Sequence, residues 1–457
     1  MSRYPTVVET AKALDGGIVS SSTLTQDTLA RINDPAGEGV RVYIRRNDQR
    51  AVKLAEASDI LRSAGIKRSP LEGVPISVKD LFDIAGETTL AGSIALKDAP
   101  AALENAPVVQ RLVAAGAVIT GTTNMSEFAF SGIGINPHYG TPRNPYDRTT
   151  GRVPGGSSSG AAISVTDGMA VAAIGTDTGG SIRIPSALCG LTGFKPTARR
   201  VSAHGVVPLS TSLDSIGPLA ASVTCCAIID SIISGDGLDV PMEAPIKGLR
   251  LAVPQTIVLS DMDETVSRAF SRTLDRLSNA GAIISEIGLE EFSEVAEIYA
   301  RGNMVAAEAF AWHRELLARA GDNYDPRVKL RITRGGELSA ADYIRTLETR
   351  AALKRRVLQT FHCFDAMIMP TVPVIASAIQ PLIDNDAKFF AANGLILRNP
   401  TMINFLDGCA LSVPMHLGDE APSGLMIAGT EMRDRQILSV GLAIERVLQQ
   451  ASRVCQF

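Results

Sequence analysis

No stretch of this sequence reaches the ~18–20 consecutive apolar residues that a membrane-spanning helix needs. No cationic stretch followed by an apolar run opens the chain, so no secretory signal is expected. Basic charge is not in excess. With 44 Lys and Arg against 48 Asp and Glu the net charge is −4, which argues against nucleic acid as a main partner. Cysteine is sparse: Cys189, Cys225, Cys226, Cys363, Cys409 and Cys455 match neither zinc spacing nor a small disulfide scaffold, and they read as reduced thiols. Histidine is sparse too, with only His138, His204, His313, His362 and His416, and none are paired at metal-ligand spacing. These absences together predict a cytoplasmic protein with no metal, no cofactor and no membrane partner.

What remains is an ordinary globular composition, 45% hydrophobic and 20% charged over 457 residues, enough to bury a large core. There is no internal repeat, low-complexity tract or clear linker. Residues 1–65 read as a helical opening, with apolar positions recurring at three and four (Leu54, Ala57, Ile60, Leu61, Ala64). Beyond Gly73, short β-rich runs (Val74–Val78, Ala117–Thr120, Ala170–Ile174) alternate with helical stretches such as Pro107–Ala115. Residues 231–457 add strands at Leu249–Val253, Ala366–Met369, Ala410–Val413 and Leu425–Ala428. They also add helices near Asp263–Ala280, Glu294–Ala318, Ala340–Thr360 and Asp434–Gln449. Gly321–Ser339, polar and broken by Pro326 and Gly335-Gly336, reads as a loop. The alternation predicts one α/β domain over 1–457, a mixed sheet with helices on both faces, in which 66–230 forms the central core.

Two glycine–serine clusters lie inside that core: Gly155-Gly156-Ser157-Ser158-Ser159-Gly160 and Gly175-Thr176-Asp177-Thr178-Gly179-Gly180-Ser181. Glycines beside a serine let bare backbone N–H groups approach a reacting atom. A serine hydroxyl becomes a nucleophile only when a base takes its proton. No histidine falls in either cluster, so a Ser-His-Asp arrangement has no local motif behind it, although the fold could still assemble one. Lysine can serve if burial keeps it neutral, and Lys79 ends the apolar run Val74-Pro-Ile-Ser-Val78. Asp80 would oppose that by raising the lysine pKa, but strand alternation points it to the other face. Gly156-Ser-Ser158-Ser-Gly160 also fits a G-x-S-x-G nucleophile elbow, which requires a strand immediately before it; the residues from Asp147 to Pro154 look like loop instead.

The ordered string from Gly151 to Thr197, together with Val78-Lys79-Asp80, resembles the amidase signature family, and the resemblance extends from Leu71 to the carboxyl-terminal helix. It implies an amidohydrolase that cleaves the C–N bond of a small carboxamide through an acyl-enzyme. Ser181 would be the nucleophile, Ser157 the bridging serine after a cis peptide bond, and Lys79 the base. The N–H groups of Thr178, Gly179, Gly180 and Ser181 would form the oxyanion hole. Asp177 and Arg183 read as a buried ion pair bracing the nucleophile loop, and His204 and Cys189 as local packing or capping residues. Gly121 to Phe128 resembles the segment bordering the substrate pocket, which places Met125 and Phe128 near the ligand.

The family also contains the glutaminase component of tRNA-dependent amidotransferases, their A chain, which holds glutamine's carboxylate with an arginine and its ammonium with an aspartate. Arg350 matches the arginine. The aspartate position falls near Ile396, where an apolar residue would not satisfy an ammonium, so the resemblance favours a stand-alone amidase over the glutaminase component. A noncatalytic binding protein on the same scaffold is the alternative of another class, and the three filled triad positions argue against it. A small amide is the expected partner, nucleic acid only if the chain is part of an amidotransferase, and the family accommodates a homodimer.

Overall fold

A computed structural model describes residues 4–301 and 304–454 of the chain. Its strands are β1 (Tyr43–Arg46), β2 (Pro75–Lys79), β3 (Val118–Thr123), β4 (Ala172–Asp177), β5 (Thr192–Lys195), β6 (Ser215–Ala220), β7 (Arg250–Pro254), β8 (Ile283–Ile287), β9 (Ala366–Pro370), β10 (Cys409–Pro414) and β11 (Gly424–Gly429). They join in one sheet ordered β1-β3-β2-β4-β6-β5-β10-β11-β9-β7-β8. β2 runs parallel to β3 and β4, and β7 parallel to β8 and β9, while β4, β6, β5, β10, β11 and β9 pair antiparallel in succession. The mixed α/β sheet expected from the sequence is present.

The period of two along the central strands sorts side chains into separate cores. In β4, Ala172 and Ile174 join the largest apolar cluster while Ala173 joins another, and in β6 Ile216 and Ala220 part from Leu219 in the same way. Residues of the helices Pro107–Ala114, Val223–Ser234, Glu264–Asn279 and Asp434–Val454 pack into the first cluster; those of Ser159–Thr166 and Ser21–Asn33 pack into the second. Both faces of the sheet's centre are therefore covered, and strands buried on both sides read as continuous apolar runs.

Two elements differ from the sequence reading. The opening is not all helical, because Tyr43–Arg46 forms a short edge strand antiparallel to β3. The helix expected over Glu294–Ala318 is present on both sides of residues 302–303, as Glu291–Arg301 and Met304–Ala320. The expected loop Gly321–Ser339 contains a helix, Pro326–Thr333, started by Asp325, whose carboxylate accepts the Arg327 N–H at 2.8 Å, with proline at the first helical position. A further helix, Asp386–Phe405, carries Pro400 inside it. Among the described residues no helix is long and apolar enough to cross a membrane.

Candidate active site

Parallel pairing of β2 and β4, with Val78 opposite Ile174, brings the carboxyl ends of both strands to one edge. Ligands in such sheets collect at that edge. Lys79 is the last residue of β2 and is fully buried. Its Nζ lies 2.7 Å from Ser157 Oγ and 2.7 Å from Thr176 Oγ1, with no carboxylate of the described residues in contact. Burial pushes the ammonium down to about 7, against the opposing pull of the Asp214 and Asp177 charges. Asp80 does turn away: its carboxylate accepts the Gly92 N–H at 3.0 Å, and burial raises it to about 7.

Ser157 follows Gly156 through a cis peptide bond. Glycine is required there by close approach, since a Cβ at 156 would meet the Gly134 nitrogen at 2.6 Å. The Ser157 carbonyl accepts the Ser126 N–H at 3.0 Å, and the Ser158 N–H donates to the Ser181 carbonyl at 3.3 Å. That last bond ties the two glycine–serine clusters together. Ser158 precedes the helix Ser159–Thr166, but no strand leads into it, so the nucleophile-elbow geometry is not formed.

Asp177 organises the loop that carries Ser181. Its Oδ1 accepts from Gly180 N at 2.8 Å, Arg183 Nη2 at 2.9 Å and Asn404 Nδ2 at 3.0 Å; its Oδ2 accepts from Arg183 Nε at 3.0 Å and Ile182 N at 3.2 Å. Arg183 also donates to the Pro400 carbonyl at 3.1 Å, and neither side chain is exposed. Burial alone would raise Asp177, but the Arg183 charge and these donors hold its carboxyl far below the usual range. The ion pair expected from the sequence is thus fully hydrogen-bonded, the condition under which a buried pair is tolerated. It also bears on the expected oxyanion hole. The Gly180 N–H is committed to Asp177, and within that loop the N–H groups of Thr178, Gly179 and Ser181 have no intramolecular acceptor among the described residues.

Ser181 opens onto a cavity of about 290 Å³ walled by Ala129–Gly132, Thr178, Gly179, Leu209, Tyr299, Arg331, Leu397, Arg398 and Thr401. Phe130, Tyr299 and Arg331 are shared with an adjoining outer cavity of about 770 Å³. Met125 and Phe128 are not among the walls. Met125 is fully buried, and Phe128 packs against His313 and Tyr324 at ring separations of 4.4 and 4.9 Å. The pocket wall is the segment that follows them. Arg350 is also elsewhere: its Nε donates to the Phe405 carbonyl at 2.6 Å, and it lines a separate cavity with Lys354, Met367 and Glu431. Ile396 is buried in an apolar cluster, as its side chain demands.

The remaining titratable candidates take no part. His138 faces Glu127, His313 faces Tyr324, and the exposed His204 faces Glu104. Cys189 is buried with its thiol donating to the Pro154 carbonyl at 3.2 Å, and burial pushes that thiol up. Cys455 lies outside the described residues. Among the described residues no cluster of His, Cys, Asp and Glu could hold a metal. Sequence reasoning missed Thr176, Asp214, Arg331 and Asn404. Asp325-Pro326 was the one available signal for the helix carrying Arg331; Thr176 lay inside the second glycine–serine cluster with nothing to mark its contact with Lys79, and Asp214 and Asn404 belong to no motif that a single sequence exposes.

The chain matches the Amidase family profile over residues 24–438. It is 33% identical over 428 residues to 2-amino-5-chloromuconic acid deaminase of Comamonas testosteroni, covering 93% of this chain and 92% of that protein. It is 34% identical over 478 residues to the A chain of the glutamyl-tRNA(Gln) amidotransferase of Chloroflexus aggregans, covering 97% and 96%. A crystal structure of an amidase superposes with TM-score 0.87 at 30% identity, covering 97% of this chain and 99% of the other. The native peptide amidase of Stenotrophomonas maltophilia gives 0.78 at 28% identity over 97% of each chain. With a family match across most of its length and this fold around a buried lysine and paired serine loops, the protein belongs to the amidase signature family and is a hydrolase of amide C–N bonds.

Proposed function

We propose that the chain hydrolyses a small carboxamide bearing a carboxylate, by acyl transfer through Lys79, Ser157 and Ser181. The carrying observation is the 2.7 Å contact between Lys79 Nζ and Ser157 Oγ on a lysine that burial brings to about 7. Neutral Lys79 takes the Ser157 proton as Ser157 takes that of Ser181. Ser181 Oγ attacks the carbonyl carbon, and the N–H groups of Thr178, Gly179 and Ser181 receive the oxyanion. The proton returns through Ser157 to the nitrogen, the C–N bond breaks and ammonia leaves. Water then attacks the acyl-serine by the same proton route.

The carboxylate preference comes from the cavity's charge. No Asp or Glu lines it, whereas Arg331 and Arg398 do. Arg398 is engaged by the Val258 and Ser260 carbonyls and lies 3.7 Å from Asp261. Arg331 stacks over Phe130 at 4.3 Å and donates to the Phe130 carbonyl, but no carboxylate among the described residues pairs with it. Burial, aided by Arg334, lowers it to about 10. A substrate carboxylate would supply the missing anion, in keeping with a relative named for an acid. The amidotransferase relatives favour glutamine as a second reading, but a cavity without a carboxylate offers its ammonium no partner. Incubation with carboxylate-bearing amides plus hydroxylamine tests the acyl-enzyme: hydroxamate should form, and ammonia release with no hydroxamate at any hydroxylamine concentration would argue for direct hydrolysis.

A further inference from the structure

Resting on that acyl-transfer reading, we propose that Asp214 is a positioning residue of the reaction: it holds the Thr178 and Leu209 walls of the cavity and, bonded to Thr178 two residues along from the Thr176 hydroxyl that Lys79 touches, supplies a negative charge that no Lys or Arg among the described residues pairs. The ladder places it there. β4 and β6 pair antiparallel with Asp177 opposite Ser215, so the next residue of each, Thr178 and Asp214, come side by side at the edge of the site. Thr178 Oγ1 donates to Asp214 Oδ1. The Leu209 N–H donates to Oδ2 at 3.0 Å and the Ser210 N–H to both oxygens at 3.1 Å. One carboxylate therefore fixes the peptide that presents an oxyanion N–H and the backbone beneath an apolar wall, both lining the Ser181 cavity.

The surroundings explain why this carboxylate acts on the lysine. Its donors are all uncharged, and among the described residues no Lys or Arg forms an ion pair with it. Glu308 faces the same loop from the helix Met304–Ala320, accepting Ser210 Oγ at 2.7 Å and the Ser212 N–H at 3.0 Å, and it receives Tyr343 OH at 2.6 Å. Burial and the Glu308 charge raise Asp214 to about 6, while Thr178, Ser210 and Leu209 pull the other way. The Asp177 charge also acts on Lys79, but that carboxylate is paired with Arg183 at 2.9 Å. When Lys79 takes the proton it becomes a buried cation that, among the described residues, touches the Ser157 and Thr176 hydroxyls alone. The Asp214 field is what stabilises that cation as acylation proceeds.

A short-chain alkyl fluorophosphonate tests this without knowledge of the substrate. Ser181 Oγ bonds to phosphorus, fluoride leaves, and the serine proton passes by way of Ser157 to Lys79. The rate is measured from pH 5.5 to 9 for wild type, Asp214→Asn, Thr178→Val, Thr178→Ser and the Asp214→Asn/Thr178→Val double variant, with thermal unfolding alongside. Asp214→Asn should slow the alkaline plateau on the order of 10- to 100-fold. It should also move the acid limb to lower pH, because removing an anion makes Lys79 easier to deprotonate. Thr178→Val should slow the plateau but leave the limb in place, Thr178→Ser should restore the rate, and the double variant should fall well short of the product of the singles. Wild-type rate and limb in Asp214→Asn would overturn the proposal, as would a slower rate with an unmoved limb and multiplicative effects. Should Asp214→Asn not fold, a wild-type rate in Thr178→Val overturns it. A wild type left unlabelled, or labelled away from Ser181, removes the acyl-transfer reading and this inference with it.

Discussion

Replacing Lys79 with methionine should abolish turnover and yet stabilise the fold at neutral pH. In an unfolded chain the lysine keeps its ordinary value near 10.5, whereas burial brings it to about 7 in the native state. That difference amounts to ~5 kcal/mol of penalty once the pH is below both values. The unfolded state binds the extra proton between the two values, so stability falls as pH drops from 10.5 and levels off below 7. At pH 7 the penalty is ~4 kcal/mol and at pH 9.5 only ~1.4 kcal/mol. Methionine removes it but forfeits the hydrogen bonds to Ser157 and Thr176, a loss of ~1 kcal/mol each. The variant should therefore be more stable than wild type by ~2 kcal/mol at pH 7 and slightly less stable at pH 9.5, a swing of ~3 kcal/mol. Urea titrations of both proteins at the two pH values measure the swing directly. A stability difference that does not change with pH would refute a neutral lysine and, with it, the base assigned to the reaction.

The same lysine sets the pH profile: kcat/KM should fall on the acid side with a limb near 7, where Lys79 gains its proton, and a limb below 5 would contradict that role. Arg183→Met should destabilise the fold by about 3–5 kcal/mol, because it strands the buried Asp177 carboxylate; a melting temperature within a degree of wild type would contradict the bracing role. Arg331→Gln should raise KM on the order of 10- to 100-fold for amides carrying a carboxylate. Neutral amides should be unaffected, and equal losses on both would place Arg331 in the frame of the cavity instead. Ser157→Ala and Ser181→Ala should each cost about as much as the pair together, since in the proposed mechanism the two hydroxyls share one proton path.

The residues of the proposed triad stood out in the sequence because the features around them are local: glycines that clear space for backbone donors surround Ser157 and Ser181, and an apolar strand buries Lys79. Strands β2, β3 and β4 were legible for the same reason, as short apolar runs beside glycine or proline, whereas β5, β6 and β8 were not read from the sequence. The cavity walls were not. Thr178 and Asp214 lie 36 residues apart and meet only through the β4–β6 register. Arg331 was hidden in a polar, proline-broken segment whose Asp325-Pro326 start signal was overridden by the glycines after it. Arg350 sits on a strongly helical segment, and nothing in its own neighbourhood shows that the helix turns it to a different cavity. The helix Asp386–Phe405, which carries Leu397, Arg398 and Thr401, has Gly394 and Pro400 in its run, and both argue against a helix locally.

The most direct test of the whole account is ammonia release by the purified chain over a panel of neutral and carboxylate-bearing amides plus glutamine, with Ser181→Ala run in parallel. The account predicts release from at least one carboxylate-bearing amide by the wild type and none by a Ser181→Ala protein that melts like the wild type. Undiminished release by Ser181→Ala would contradict it.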